Sequence, residues 1–348
     1  MKMREFIEQI NQQIEESLQI ASKMNYKKYQ HGNLKEVPMS RMLRNEVITN
    51  VLICGVGGSG IAGTIVANLF KDDVTLPIIV NKSYNIPNWV NDNTLIIISS
   101  YSGTTEETLS CLKESIAITN KIICITTGGS ILALANEHNI EHVIIPSGYQ
   151  PRAALIYSLV QMIDILSKQE IIRDRTIELN AAISLIEFEK LNITNEAKEV
   201  AKFLKRSMVH IYSDDKYEGL AVRFKQQLNE NSKTLCSTSS LPEMNHNELV
   251  AVNAFGIESC KNNIRHLFLQ TGYQNKDMLK RFEFVKLKLT ERGIKHTTLN
   301  ILGNNSIEKM IYTIHLSDWI SYYLSVENNV DPNDVSIIGK LKEFIKAD

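Results

Sequence analysis

A chain of 348 residues exceeds one ordinary core, so two domains are the expectation. Hydrophobic residues at 43%, charged residues at 22% and a formal net charge of −1 describe a soluble globular chain, with no electrostatic reason for a nucleic acid or an acidic membrane as partner. The five cysteines are odd in number, widely spaced and without a C-x-x-C pair, so neither a zinc site nor a disulfide framework is indicated.

The opening stretch MKMREFIEQINQQ is too polar for a signal peptide, and no apolar run approaches membrane-spanning length, so a cytoplasmic protein is expected. Phe6, Ile7, Ile10, Ile14 and Leu18 recur at helical spacing, which predicts one amphipathic helix over residues 1–25 on the outside of a domain. An alternation follows. The runs VLICG (51–55), LPIIV (76–80), TLIIIS (94–99), KIICIT (121–126) and HVIIP (142–146) are separated by helix-compatible stretches. They lack polar alternation, as a parallel sheet buried on both faces requires, and their interval predicts a doubly wound α/β structure. Several cysteines fall inside these runs as small hydrophobes. Pro151 stands where a helix can start, and RAALIYSLVQMIDILSK predicts an apolar helix. A charged helical connector then leads to MVHIYS (208–213), KTLCST (233–238), IRHLFLQ (264–270) and IKHTTLNIL (294–302). The two halves share a plan, and only the first has a glycine loop. The expected division is 1–168, a connector over 169–205, and 206–348.

That glycine loop, GVGGSGIAG (55–63), satisfies G-x-G-x-x-G through Gly55, Gly57 and Gly60. A dinucleotide site also needs an acid at the end of the next strand, where Asn81 and Lys82 stand instead. A nicotinamide cofactor is therefore not expected. SSYSGTTEET (99–108) is more telling, because Ser100, Ser102, Thr104 and Thr105 surround Gly103 ahead of a helix. N–H groups at a helix start favour an anion, and hydroxyls add donors without adding charge. Capping would need one hydroxyl, and four exceed that need, which favours a phosphate site. His138 and His142 straddle a helix end and a strand, so no metal pair is expected there.

GGSGIAG, SYSGTTEET, PRAAL and LPEMNHNE, in this order, resemble the sugar isomerase (SIS) domain from about residue 50 to the C-terminus. NHNE and the lysine segment DPNDVSIIGKLKEFIK resemble, more narrowly, the bifunctional phosphoglucose/phosphomannose isomerases. One departure is Thr104, where the family loop usually has Asn; the Thr105 hydroxyl is kept. The resemblance implies an α/β fold of two SIS-type αβα sandwich domains with mainly parallel sheets, plus N-terminal and C-terminal helices. It implies isomerisation of glucose 6-phosphate, with mannose 6-phosphate as further substrate, to fructose 6-phosphate through a cis-enediolate, with no metal and no cofactor.

The resemblance also assigns residues. Gly58, Ser59, Ser100, Ser102 and Thr105 would hold the phosphate. Glu230 would be the base, in a helix expected from about Gly219 to near Asn231, where the negative dipole end disfavours a charged carboxylate. His246 would open the ring from the neighbouring subunit of a homodimer, its tautomer fixed by the flanking Asn245, Asn247 and Glu248. Arg152 would stabilise the enediolate, and Lys342, or alternatively Lys340, would be the functional lysine of the closing helix. The rival reading is a non-catalytic sugar-phosphate regulator. Such proteins usually carry a basic helix-turn-helix ahead of the domain, and the first 50 residues hold no such pattern.

Overall fold

The computed structural model describes residues 2–31, 47–254, 258–272 and 276–346. Two compact units emerge: Gln9–Ser184, and Met1–Glu8 together with Leu185–Asp348. The single helix expected over residues 1–25 is instead two, α1 (Met3–Glu8) and α2 (Ile10–Lys23), each belonging to a different unit. Between them Gln9 takes φ −88° and ψ 10°. Apolar spacing runs straight through this break, with no Gly or Pro to mark it, so periodicity alone joined the two.

In the Gln9–Ser184 unit, β1 (Gln30–His31) and β2 (Val47–Ile48) form a short parallel pair. The main sheet holds β3 (Asn50–Cys54), β4 (Ile78–Asn81), β5 (Thr94–Ser100), β6 (Ile122–Thr126) and β7 (Glu141–Ile144). All are parallel, in the order β4-β3-β5-β6-β7. Helices α3 (Gly57–Phe70), α4 (Glu106–Ile116), α5 (Gly129–Glu137) and α6 (Leu155–Lys168) complete the layers. Every residue of β5 and β6 is buried, which is why those runs carry no polar alternation. On one face Leu52, Cys54, Ile96, Ile98 and Cys124 pack on Cys111 and Leu112 of α4 and Ile131 of α5. Burial of each large aliphatic chain there is worth about 1.5–3 kcal/mol. Cys54, Cys111 and Cys124 are buried free thiols.

The expected connector is one helix, α7 (Thr176–Leu204), and the division between units falls inside it, after Ser184. Beyond it stand β8 (Met208–Asp214), β9 (Cys236–Leu241), β10 (Ile264–Gln270) and β11 (His296–Asn300), again all parallel. Counted from its own first strand, this sheet has the order 2-1-3-4 against 2-1-3-4-5 in the other. The plan is the same, one strand shorter. Helix α8 (Glu218–Ser232) packs on β8 and β9. After α9 (Glu248–Ala254) and α10 (Glu258–Asn263), α11 (Lys276–Glu291) brings Phe282 and Val285 onto Tyr212 and Phe268. Helix α12 (Ser306–Asn328) packs against α8, and α13 (Ser336–Lys346) ends the described chain.

Candidate active site

In a doubly wound sheet the crevice for a ligand lies at the C-terminal strand ends, where the strand order reverses. In the first sheet that point falls between β3 and β5. The glycine loop leaves β3 there and the hydroxyl loop leaves β5, so the two motifs singled out in the sequence flank one crevice. The glycines allow backbone to meet backbone. A Cβ on Gly58 would stand 2.9 Å from the Pro151 carbonyl oxygen, one on Gly60 2.4 Å from that of Gly55, and one on Gly103 1.7 Å from that of Gly128. The last contact names a partner the sequence reading passed over, the TTGGS stretch after β6. Gly103 accepts the Ile131 N–H at 2.9 Å, and Tyr101 O accepts the Thr127 hydroxyl at 2.8 Å. A paired glycine directly after an apolar strand was the available signal. At the end of β4, Asn81 donates its amide to the Asn85 carbonyl at 2.9 Å.

The four hydroxyls bond mainly to one another. Ser100 Oγ donates to Thr105 Oγ1 at 3.0 Å, Ser102 Oγ lies 3.3 Å from the same atom, and Thr104 Oγ1 donates to Ser102 Oγ at 3.3 Å. Ser100 Oγ also accepts the Gly103 N–H at 3.2 Å, and Ser102 Oγ the Thr104 N–H at 3.3 Å. Thr105 is the N-cap of α4, yet its side chain makes no capping bond, and among the described residues α3, whose N-cap is Val56, has no side-chain cap either. Ser100 and Ser59 are buried while Ser102 is exposed. Two helix starts without a side-chain cap among the described residues thus follow the two strands that border this crevice.

Arg152 occupies a 3₁₀ turn, Pro151–Ala153, that leads into α6, and its side chain is buried. Gly58 packs on that turn, and the Tyr149 N–H donates to the Tyr101 hydroxyl at 2.9 Å, tying it to the hydroxyl loop. Gly58, Ser59, Ser100, Ser102, Thr105 and Arg152 therefore gather on one edge of the first unit.

The remaining sequence-assigned residues belong to the second unit. Glu230 is half-buried in the last turn of α8, which ends at Ser232. Lys233 follows in the left-handed region (φ 54°), and its ammonium donates to the carbonyls of Glu230, Asp331 and Asp334 at 2.7, 2.7 and 2.8 Å. The Glu230 helix end is thereby pinned to the turn that precedes α13. Lys340 is exposed on α13; Lys342 is in the same helix, its side chain outside the described residues.

His246 is exposed at the end of a 3₁₀ turn, Glu243–His246. Its neighbours do not behave as expected. Asn245 accepts from Arg281 at 3.2 Å, Asn247 Nδ2 donates to Glu243 Oε1 at 3.0 Å, and Glu248 turns to the sheet. The Glu248 carboxylate accepts the Tyr212 hydroxyl at 2.7 Å and the Ser239 hydroxyl, and lies 3.1 Å from His210 Nε2. Burial pushes this carboxyl up, but His210, Ser239 and Tyr212 outweigh it and hold it at about 2.

The second sheet has its own reversal point, between β8 and β10. Here Asp214 Oδ1 accepts the Tyr217 N–H at 3.1 Å and Oδ2 the Thr271 hydroxyl at 3.2 Å, while Lys309 donates to the Thr271 carbonyl. All three side chains are buried. Burial lowers the Lys309 ammonium against the pull of Asp214 and Glu308.

Comparison with known proteins bears on the family and the fold. A family model described as bacterial phospho-glucose isomerase C-terminal SIS domain matches residues 193–345. The chain is 32% identical over 311 residues to a bifunctional phosphoglucose/phosphomannose isomerase of Thermoplasma acidophilum, covering 89% of this chain and 94% of that one. Identity is 33% over 313 residues to a protein of the same name from Caldicellulosiruptor bescii, covering 86% and 90%. In fold it is similar to the C-terminal domain of glucosamine-fructose-6-phosphate aminotransferase from Francisella tularensis, with TM-score 0.68, 16% identity, and coverage of 94% and 96%.

Proposed function

The chain belongs to the bifunctional phosphoglucose/phosphomannose isomerase family, and on that premise we propose that it interconverts glucose 6-phosphate and mannose 6-phosphate with fructose 6-phosphate. It is a sugar-phosphate isomerase. The observation that supports the phosphate assignment best is the hydroxyl cluster, whose members bond to each other while the helix behind them has no side-chain cap among the described residues. Neutral donors at a helix start hold a phosphate by hydrogen bonds and still let it leave.

In this reading the Ser100, Ser102 and Thr105 hydroxyls and the N-terminal backbone at Gly58 and Ser59 bind the phosphate. His246 moves a proton between the ring oxygen and the C1 hydroxyl, which opens the ring. Glu230 takes the C2 proton of the open aldose and returns it to C1, while the hydroxyl proton passes from O2 to O1. Arg152 offsets the enediolate charge between those steps, and Lys342, or Lys340, serves beside them. Carboxylate, imidazole and guanidinium suffice for this proton transfer without a Lewis acid. A homodimer with a shared site is part of the same reading. Ile337, Leu341, Phe344 and Ile345 on α13 are 71%, 57%, 74% and 58% exposed in the single chain, an apolar stripe at helical spacing that a second copy would cover. Among the described residues no helix is long and apolar enough to cross a membrane, and a cytoplasmic location is proposed with the substrate.

A coupled assay tests the function directly. Both aldose phosphates should yield fructose 6-phosphate. Binding of the sugar phosphates with turnover of neither would replace this reading by that of a regulator.

A further inference from the structure

His246 is exposed, and a lone exposed side chain on a short turn has no fixed position of its own. A buried side chain and a half-buried one flank it. Two residues before, Met244 is 2% exposed and packs in the core with Tyr212, Leu241 and Phe268. Two residues after, Glu248 opens α9 with its carboxylate held by Tyr212, Ser239 and His210. One apolar anchor lets a turn pivot; a second, directional anchor stops the rotation. The turn itself is closed by Asn247, whose amide donates to Glu243 Oε1 at 3.0 Å and whose Oδ1 accepts the Glu248 N–H at 2.6 Å. Those bonds fix the turn internally; its attachments to the rest of the unit include Met244, Glu248 and the bond that Asn245 accepts from Arg281 at 3.2 Å, of which only Glu248 is a charged side chain of the segment itself.

We propose that Glu248 is the positioning residue for His246: its carboxylate, clasped by Tyr212 and Ser239 and facing His210, sets where the ring-opening imidazole stands. This rests on the assignment of ring opening to His246. The three partners lie on adjacent strands, Tyr212 and His210 on β8 and Ser239 on β9, paired at Tyr212 with Ser239. They therefore present hydroxyls and an imidazole to one point on the sheet. A charged acceptor among three such groups makes charge-assisted bonds, roughly twice as strong as neutral ones. His266 stands beside them, its ring 5.7 Å from that of His210 and 5.8 Å from that of Tyr212, and burial pushes it down to about 3. It thus stays neutral and does not compete for the carboxylate near neutrality. Glu248 remains ionised at working pH, so it serves as a fixed anchor and not as a proton carrier.

The test separates ring opening from proton transfer. In a Glu230→Gln background, magnetisation exchange by NMR reads the catalysed interconversion of the glucose 6-phosphate anomers, which needs ring opening only. Adding His246→Ala should abolish the catalysed exchange. Adding Glu248→Ala should slow it by at least ~10-fold, and Glu248→Gln, which keeps one acceptor oxygen, by about 3-fold. Substrate affinity should change by less than about twofold in both, because a misplaced acid acts on the rate and not on phosphate binding. Ser239→Ala removes one donor without touching the carboxylate, and should slow exchange by about 3-fold even if Glu248→Ala fails to fold. Exchange unchanged in Glu248→Gln and Ser239→Ala, with His246→Ala inactive, overturns the positioning role and leaves ring opening with His246. Exchange unchanged in His246→Ala overturns both.

Discussion

The two sheets share their strand order and differ in what fills the point where that order reverses. In the first, neutral hydroxyls and glycines border the crevice, beside two helix starts that have no side-chain cap among the described residues. In the second, the chain has placed a carboxylate and a lysine of its own there: Asp214 takes the Tyr217 N–H and the Thr271 hydroxyl that an anion would take, and Lys309 bonds to the Thr271 carbonyl. Among the described residues, an internal carboxylate accepts donors of the kind a bound phosphate would use. The shared topology thus gives two candidate anion sites, and local chemistry decides which remains open. In the proposed reading the second unit, relieved of binding phosphate, supplies the proton-moving residues Glu230 and His246.

The sharpest way to break this division of labour is to remove the base. Glu230→Gln keeps shape and hydrogen bonding, so fructose 6-phosphate should still bind while turnover falls at least ~100-fold. A matching loss of affinity would make Glu230 a group that binds the sugar in the ground state and not the base alone. Mixing Glu230→Gln with His246→Ala subunits should restore part of the activity if each site draws on two chains. No recovery after verified exchange would return both residues to one chain or remove one of them from the site.

Matched glycines sharpen the comparison of the loops. Gly103 (φ 67°) follows β5 and Gly272 (φ 71°) follows β10. A Cβ on Gly103 would stand 1.7 Å from backbone, whereas on Gly272 the nearest atom among the described residues is Lys309 Nζ at 3.5 Å. Gly103→Ala should therefore lower stability by about 3 kcal/mol or more and abolish phosphate binding, and Gly272→Ala should cost about 1–2 kcal/mol, seen by denaturant titration. Comparable losses would mean that the two loops are built alike. Ser102→Ala should weaken glucose 6-phosphate and mannose 6-phosphate equally, by roughly 1.5–3 kcal/mol. If only one hexose phosphate weakened, the loop would be reading the sugar.

Acid should separate the units by a smaller margin. His266 and His315, both buried in the second unit, are pushed down to about 3, burial being the main cause. A depressed histidine takes up protons in the unfolded chain below pH ~6.5 but in the folded one only near 3, so stability is lost as pH falls through that window. At pH 5.5 each contributes a loss on the order of 1 kcal/mol. In the first unit burial raises Glu141 and Asp164, so those carboxyls take up protons earlier in the folded chain and oppose acid unfolding. Hydrogen exchange at pH 5.5 should open β8 and β10 before β3 and β5. The reverse order would contradict these shifts. Chelation, the mildest test, should leave turnover unchanged, and a loss restored by zinc would point to a metal-dependent mechanism.

Much of this was legible in the sequence because burial on both faces leaves uninterrupted apolar runs, as in TLIIIS and KIICIT. The hydroxyl loop was legible because four such residues around a glycine exceed any cap. Its supporting loop was not, since Gly128 and Gly129 act through a contact to Gly103 that lies 25 residues away in the chain and is visible only in space. The break at Gln9 hid behind continuous helical periodicity. The aim of Glu248 was misjudged for a similar reason: closeness to His246 in sequence implied contact, whereas α9 starts at Glu248 and turns its carboxylate toward β8 and β9.

The central claim is that the open crevice of the first sheet holds the phosphate. A crystal soaked in fructose 6-phosphate tests it most directly. The account predicts phosphorus density within hydrogen-bond reach of the Ser100, Ser102 and Thr105 hydroxyls, beside the start of α4. Phosphorus density beside Lys309 and Asp214 instead, with the hydroxyl loop bare, would contradict it.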